Sequence, residues 1–317
     1  MHRLRLEHIL EASRIVDPVF LHSPQFVSEP LGRQLGCELL VKVETLNPIR
    51  SFKGRGADYL VQKTLKRGQV RPMVCASAGN FGQAMAYSCR KHGLPLLVYA
   101  SVHANPLKVA RMRDLGAEVR LWGEDFDAAK LEAKRYCQAT GAWMVEDGQE
   151  AEISEGAGSI AVELLADPRP LEVVVVPLGN GALLGGMARY LKAQNPRVQV
   201  MGAAAQGAPA MEQSWRLRTI VEHPRVNTIA DGIGVRVPIP EAVQDLQGQV
   251  DEVLLVEDAA MLEAMRLAHR HLGLVLEPAG AVGLAAIWQY PALFAHKRVA
   301  TVLCGGNLTE EQMKAWL

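Results

Sequence analysis

The sequence predicts an α/β fold, a parallel sheet covered by helices. Short apolar runs rich in Val, Leu and Ile recur without strict alternation, the habit of strands buried on both faces. Longer stretches with helical spacing separate them, and strand-then-helix repetition gives right-handed parallel crossovers. Size agrees: 317 residues, 49% of them hydrophobic, exceed one ordinary core and call for one large or two medium domains.

In chain order the strand runs are CELLVKV (37–43), MVCA (73–76), LLVYA (96–100), EVRLW (118–122), EVVVVPL (172–178), VQVMGAA (198–204), DEVLLV (251–256) and RVATVLC (298–304). Helical spacing covers 80–92, 106–115, 125–140, 155–166, 183–194 and 258–272. There is no low-complexity tract or internal repeat. The one long irregular stretch, 223–240, is rich in Pro, Gly and Asp, and loops of that length tend to be functional.

Composition excludes several classes of function. With 34 Lys+Arg against 34 Asp+Glu, the chain lacks the cationic surplus that binding nucleic acid requires. Five widely spaced cysteines with no C-x-x-C pair suit a reducing compartment, not a disulfide framework or a Cys-based zinc site. The N-terminal segment is broken by charges, and no run approaches the roughly 20 apolar residues of a membrane span. A cytoplasmic protein acting on a small molecule is expected, with no nucleic-acid or membrane partner.

Five segments fall where strands end or helices begin, the place where open α/β sheets bind ligands. In EVVVVPLGNGALLGGMARYLK (172–192) a strand runs through Gly179, Asn180, Gly181, Ala182 and Leu183 into a helix. Backbone amides at such a turn suit a single phosphate. A dinucleotide fits less well, because Leu184 stands where G-x-G-x-x-G needs glycine; a plain packing turn also explains the glycine pair. In CASAGNFGQAMAYSCRKHG (75–93), Ser77, Ala78, Gly79 and Asn80 form a nest for a carboxylate, or an ordinary N-cap. Lys53, after an Asn-Pro turn, lies at a helix start. The dipole there is unfavourable to a cation, and if the lysine is also partly buried its pKa would fall, as a Schiff-base lysine requires; most lysines are simply solvated. Glu277 precedes a helix in apolar surroundings, and Cys304 ends a strand. Together these segments supply an imine-forming lysine, a phosphate cup, an anion nest and a small polar group. That set matches the needs of pyridoxal phosphate.

These residues also carry a resemblance. S-F-K-x-R-G-A matches 51–57, S-A-G-N-x-x-Q-x-x-A matches 77–86, T-I-A-D-G-I matches 228–233, E-P-A-G-A matches 277–281 and C-G-G-N matches 304–307. In order and spacing the chain resembles the fold-type II pyridoxal-phosphate enzymes, in particular the serine/threonine dehydratase (threonine ammonia-lyase) family. The resemblance implies two open twisted sheets flanked by helices, the tryptophan synthase β-like architecture. It implies a small domain, 74–147, inserted in a large cofactor-binding domain made of 1–73 and 148–317. Lys53 would bond the cofactor, Phe52 would pack near its ring, Asn80 would bond its phenolic oxygen, and Cys304 would face its pyridine nitrogen. Residues 179–183 would hold the phosphate, Glu277 would belong to the cofactor site, and Ser77, Ala78, Gly79 and Asn80 would grip the substrate carboxylate. The implied reaction is α,β-elimination of L-threonine or L-serine to a 2-oxo acid and ammonia, by a homodimer. The cofactor phosphate would assist by protonating the leaving hydroxyl.

Three departures bear on this. Asn180 and Ala182 stand in the phosphate loop where dehydratases usually have glycines. Ala204 stands where relatives carry a cation-binding Glu, so no metal is expected. The chain stops at Leu317, so the C-terminal regulatory domain of feedback-controlled dehydratases is not expected. β-Replacement or a threonine-synthase-like transfer is the alternative activity, although Gly54 replaces the Asp of the synthase motif. Racemisation is disfavoured by Ala78, where racemases carry serine, and a non-catalytic cofactor carrier is a further reading. Arg236, in the irregular loop, is a candidate cation for an acidic substrate such as hydroxyaspartate.

Overall fold

The structure, a computed structural model, describes residues 2–317. Its strands are β1 (Gln25–Val27), β2 (Glu38–Val43), β3 (Met73–Ala76), β4 (Leu96–Ala100), β5 (Glu118–Leu121), β6 (Trp143–Met144), β7 (Val173–Pro177), β8 (Gln199–Ala205), β9 (Glu252–Val256) and β10 (Arg298–Leu303). They form a six-stranded sheet in the order β1-β2-β10-β7-β8-β9 and a four-stranded sheet in the order β5-β4-β3-β6. The two-sheet α/β architecture expected from the motifs is therefore present, and all eight expected strands form. β1 and β6 escape sequence patterning because they are three and two residues long. β1 also runs antiparallel to β2, the exception to the parallel rule.

The four-stranded sheet uses one contiguous stretch of chain, and the six-stranded sheet uses segments from both sides of it. β7 and β10 are buried along their whole length, as β-branched runs covered by helices on both faces should be. One face of the large sheet packs on the helices Asp258–Leu272 and Pro278–Gln289, the other on Ala151–Leu164 and Ala182–Gln194. The helix expected at 155–166 begins a turn earlier, at Ala151. Side-chain caps fix two helices of the small sheet. Asn105 accepts from the amide of Leu107, and Asp125 from that of Ala128.

Because β2, β7, β8, β9 and β10 are mutually parallel, their carboxyl ends open on one side of the large sheet. β3 and β6 present the segments after Ala76 and Met144 to the same space, since residues from both sheets line one cavity. All five cysteines are unpaired; Cys75, Cys89, Cys137 and Cys304 are buried and Cys37 is half-buried. Among the described residues no helix is long and apolar enough to cross a membrane.

Candidate active site

Lys53 is placed by a braced turn between β2 and its helix, Lys53–Lys66. The Asn47 side chain donates to the carbonyls of Glu44 (2.9 Å) and Ser51 (3.1 Å) and accepts from the amide of Ile49 (3.1 Å). Ser51 bridges to Gly305, and the Phe52 amide donates to the Cys304 carbonyl at 3.1 Å, so the lysine turn is tied to the end of β10. The lysine Nζ lies 4.8 Å from the Phe52 ring centroid and donates to Oδ2 of Asp147. Gly54, which departs from the synthase motif, has a structural cause: a Cβ there would fall 2.3 Å from the Phe20 ring.

The turn after β7 follows the same logic in backbone atoms. Gly181 has φ +93°, and a Cβ there would meet that of Ala242 at 3.0 Å. A Cβ on Gly179 would approach the Gly232 carbonyl at 3.2 Å. Glycine is favoured at Gly181 by conformation, and at Gly179 a Cβ would fit only if its neighbours gave by a few tenths of an ångström. The helix Ala182–Gln194 starts here. Among the described residues the amides of Gly179, Asn180, Gly181, Ala182 and Leu183 donate to no protein acceptor. Unpaired amides at a helix N-terminus, beside the cavity, are what a phosphate needs.

On the facing wall, Ser77 Oγ accepts from the amides of Gly79 (3.1 Å) and Gly82 (2.9 Å), which leaves its O–H free to donate. Asn80 begins the helix Asn80–Lys91. It donates to Glu277 and accepts from Asn307 Nδ2 at 2.8 Å. Glu277 reaches the site from the other sheet, and its Oε2 has no partner among the described residues. Burial raises its carboxyl to about 7; Lys108 opposes this, and Asp231 adds to it. Gly305 admits that carboxylate, since a Cβ there would lie 2.2 Å from Glu277 Oε1. Burial also pushes the Cys304 thiol up, so it stays protonated and donates to the Ala279 carbonyl at 3.7 Å.

All the candidate cofactor- and substrate-binding residues read from sequence, including Phe52, Ala78 and Leu183, line one cavity of about 550 Å³ in the seam between the two sheets. The seam is crossed by contacts that sequence reading missed: Lys108 to Asp231 (2.6 Å), Arg111 to Asn307, and Lys53 to Asp147. Arg236 is not a free cation, because it is paired with Asp127 across the mouth (2.7 Å from Nε). The donor set fits pyridoxal phosphate: an amine, five unpaired amides for the phosphate, an Asn80 amide with an N–H to spare, and a neutral thiol.

A family model described as pyridoxal-phosphate dependent enzyme matches residues 20–305. An L-threonine ammonia-lyase of Thermotoga maritima is 33% identical over 96% of this chain and 76% of its own length. Among solved structures, a threonine deaminase from T.th. is 30% identical with TM-score 0.89, covering 96% of this chain and 98% of that one. Maize serine racemase is 25% identical with TM-score 0.92, covering 99% and 97%. With the motifs, the two-sheet fold and the cavity in agreement, the chain belongs to the pyridoxal-phosphate-dependent enzyme family.

Proposed function

We propose that the chain is an ammonia-lyase that eliminates water from a β-hydroxy amino acid, L-threonine or L-serine, to give a 2-oxo acid and ammonia. The observation that carries this is the convergence of Lys53, the Gly179–Leu183 amides and the Ser77–Asn80 nest on one cavity. Relatives named for threonine ammonia-lyase activity support it. Bound pyridoxal phosphate supplies an electron sink for the charge left at the α-carbon. The chain does the rest. The Ser77 hydroxyl and the amides of Ala78 and Asn80 take the substrate carboxylate, the Gly179–Leu183 amides take the phosphate, and Lys53 receives the α-proton. The buried Cys304 thiol is too weak an acid to protonate the ring nitrogen, which favours prompt loss of the β-hydroxyl.

Residues 74–147 form the smaller unit in this reading, supported by the contiguous origin of the four-stranded sheet. A cytoplasmic homodimer belongs to the same reading, supported by the resemblance and the unpaired thiols, and light scattering checks its mass.

The test is a panel of L- and D-amino acids read by 2-oxo acid and ammonia release, with wild type and Lys53→Ala. The expected result is release from L-threonine or L-serine, a borohydride-trappable adduct on Lys53, and loss of both in the variant. Oxo-acid release that survives Lys53→Ala overturns the mechanism. An adduct with no release from any amino acid leaves a cofactor carrier.

A further inference from the structure

Asp147 lies in the turn after β6, and only 8% of its surface meets solvent. Its Oδ2 accepts from Lys53 Nζ, and its Oδ1 has no partner among the described residues. A carboxylate with so little water depends on the cation that hydrogen-bonds to it, Lys53. The turn is fixed on both sides. Val145 continues the β6 pairing through its amide to the Val74 carbonyl (2.8 Å), and Gln149 closes the turn onto the Glu146 carbonyl (3.1 Å). Gly148 adopts φ +92°, and a Cβ there would lie 2.6 Å from the Asn180 carbonyl oxygen, so the turn is wedged against the phosphate loop. The neighbouring charges have other partners. Glu146 is held by Lys130 and Lys134, and Glu44, near Cys304, is held by Arg55. Lys130 faces Asp147 from the helix Phe126–Thr140 but is bound to Glu146.

We propose that Asp147 is a positioning residue for the elimination: it holds Lys53 Nζ in place and takes up the positive charge that forms there. The inference rests on Lys53 being the base. When the α C–H bond breaks, the proton goes to the lone pair of Nζ. The electron pair left on carbon forms the C=C bond as the β C–O bond breaks, and the hydroxyl leaves as water with a proton taken from solvent, to which Nζ later returns the α-proton. The ammonium formed at Nζ lies against a carboxylate set in a turn that packs directly on the phosphate loop.

The test compares wild-type holoenzyme with Asp147→Asn and Asp147→Glu. In Asp147→Asn, kcat for L-threonine or L-serine is expected to fall about 10- to 100-fold with KM within about threefold. The pH midpoint of the bound cofactor's absorbance change is expected to fall by about one unit, because the nitrogen of Lys53 keeps a proton less well without the carboxylate. Asp147→Glu restores part of both. Unchanged kcat in Asp147→Asn overturns the proposal, and so does a fall in kcat with an unmoved midpoint. A wild type that forms no Lys53 adduct or releases no oxo acid defeats the functional reading instead, so the two failures are distinguishable.

Discussion

Beneath Lys53, Arg55 is fully buried between Glu44 and Glu163, whereas across the mouth Arg236 meets Asp127 with 31% and 25% of the side chains open to water. The buried set is balanced, with Arg55 and Lys42 against Glu44 and Glu163. The Arg55 guanidinium donates to both carboxylates and to the hydroxyls of Ser23 and Ser159. The set at the mouth is a pair on the rim of a cavity. The same residue types therefore serve two ends: a buried, fully paired floor holds the lysine helix, and a part-hydrated pair at the mouth joins the two sheets. The small sheet is also the less covered of the two. β5 lies at its edge with most of its residues exposed, while β10 is buried throughout.

The largest expected effect tests the floor. Arg55→Ala leaves two carboxylates buried without their guanidinium, and loss of one partner from such a set costs about 3–5 kcal/mol. For Glu163, burial works to raise the carboxyl, but Arg55 and Lys42 outweigh it and hold the group down at about 2. Urea unfolding measures the loss. A change below about 1 kcal/mol would put the floor and the mouth in the same class.

What the sequence disclosed follows the same division. Lys53, the Gly179–Leu183 turn, Ser77–Asn80, Glu277 and Cys304 each sit in a short segment at a strand end or a helix start, where local pattern suffices. Asp147 lies 94 residues from Lys53, and Asp127 lies 109 from Arg236. A single charge after an apolar run reads as solvated until the fold supplies its partner. The only trace of Asp147 in the sequence is an acidic pair, Glu146 and Asp147, directly after the apolar run ending at Val145.

Glu277 gives an intermediate effect and joins the two walls through Asn80. Its carboxyl is raised from 4.5 to about 7 by burial, so the folded chain keeps a proton that the unfolded chain releases. Stability linked to this group is therefore present below about pH 4.5, declines as pH rises to about 7, and is flat above. The full difference is about 3 kcal/mol. In cofactor-free protein, Glu277→Gln should match wild type near pH 5 and exceed it near pH 8. Equal pH slopes in the two proteins would show that the proton is not held there.

The smallest expected effect lies at the mouth. Arg236 and Asp127 are partly hydrated, so Arg236→Ala should cost under about 1 kcal/mol in urea unfolding, and the cost should shrink in 1 M salt as screening removes what the pair contributes. The contact closes the rim of the cavity and does not touch the lysine. Its loss should raise KM by about two- to tenfold and leave kcat unchanged. Asp127→Asn should act alike, and the double variant should add little, because both changes remove one interaction. An Arg236→Ala variant as unstable as Arg55→Ala would mean that the seam is welded by its ion pairs. A fall in kcat would mean that Arg236 reaches the reacting atoms, although the structure holds it at the rim.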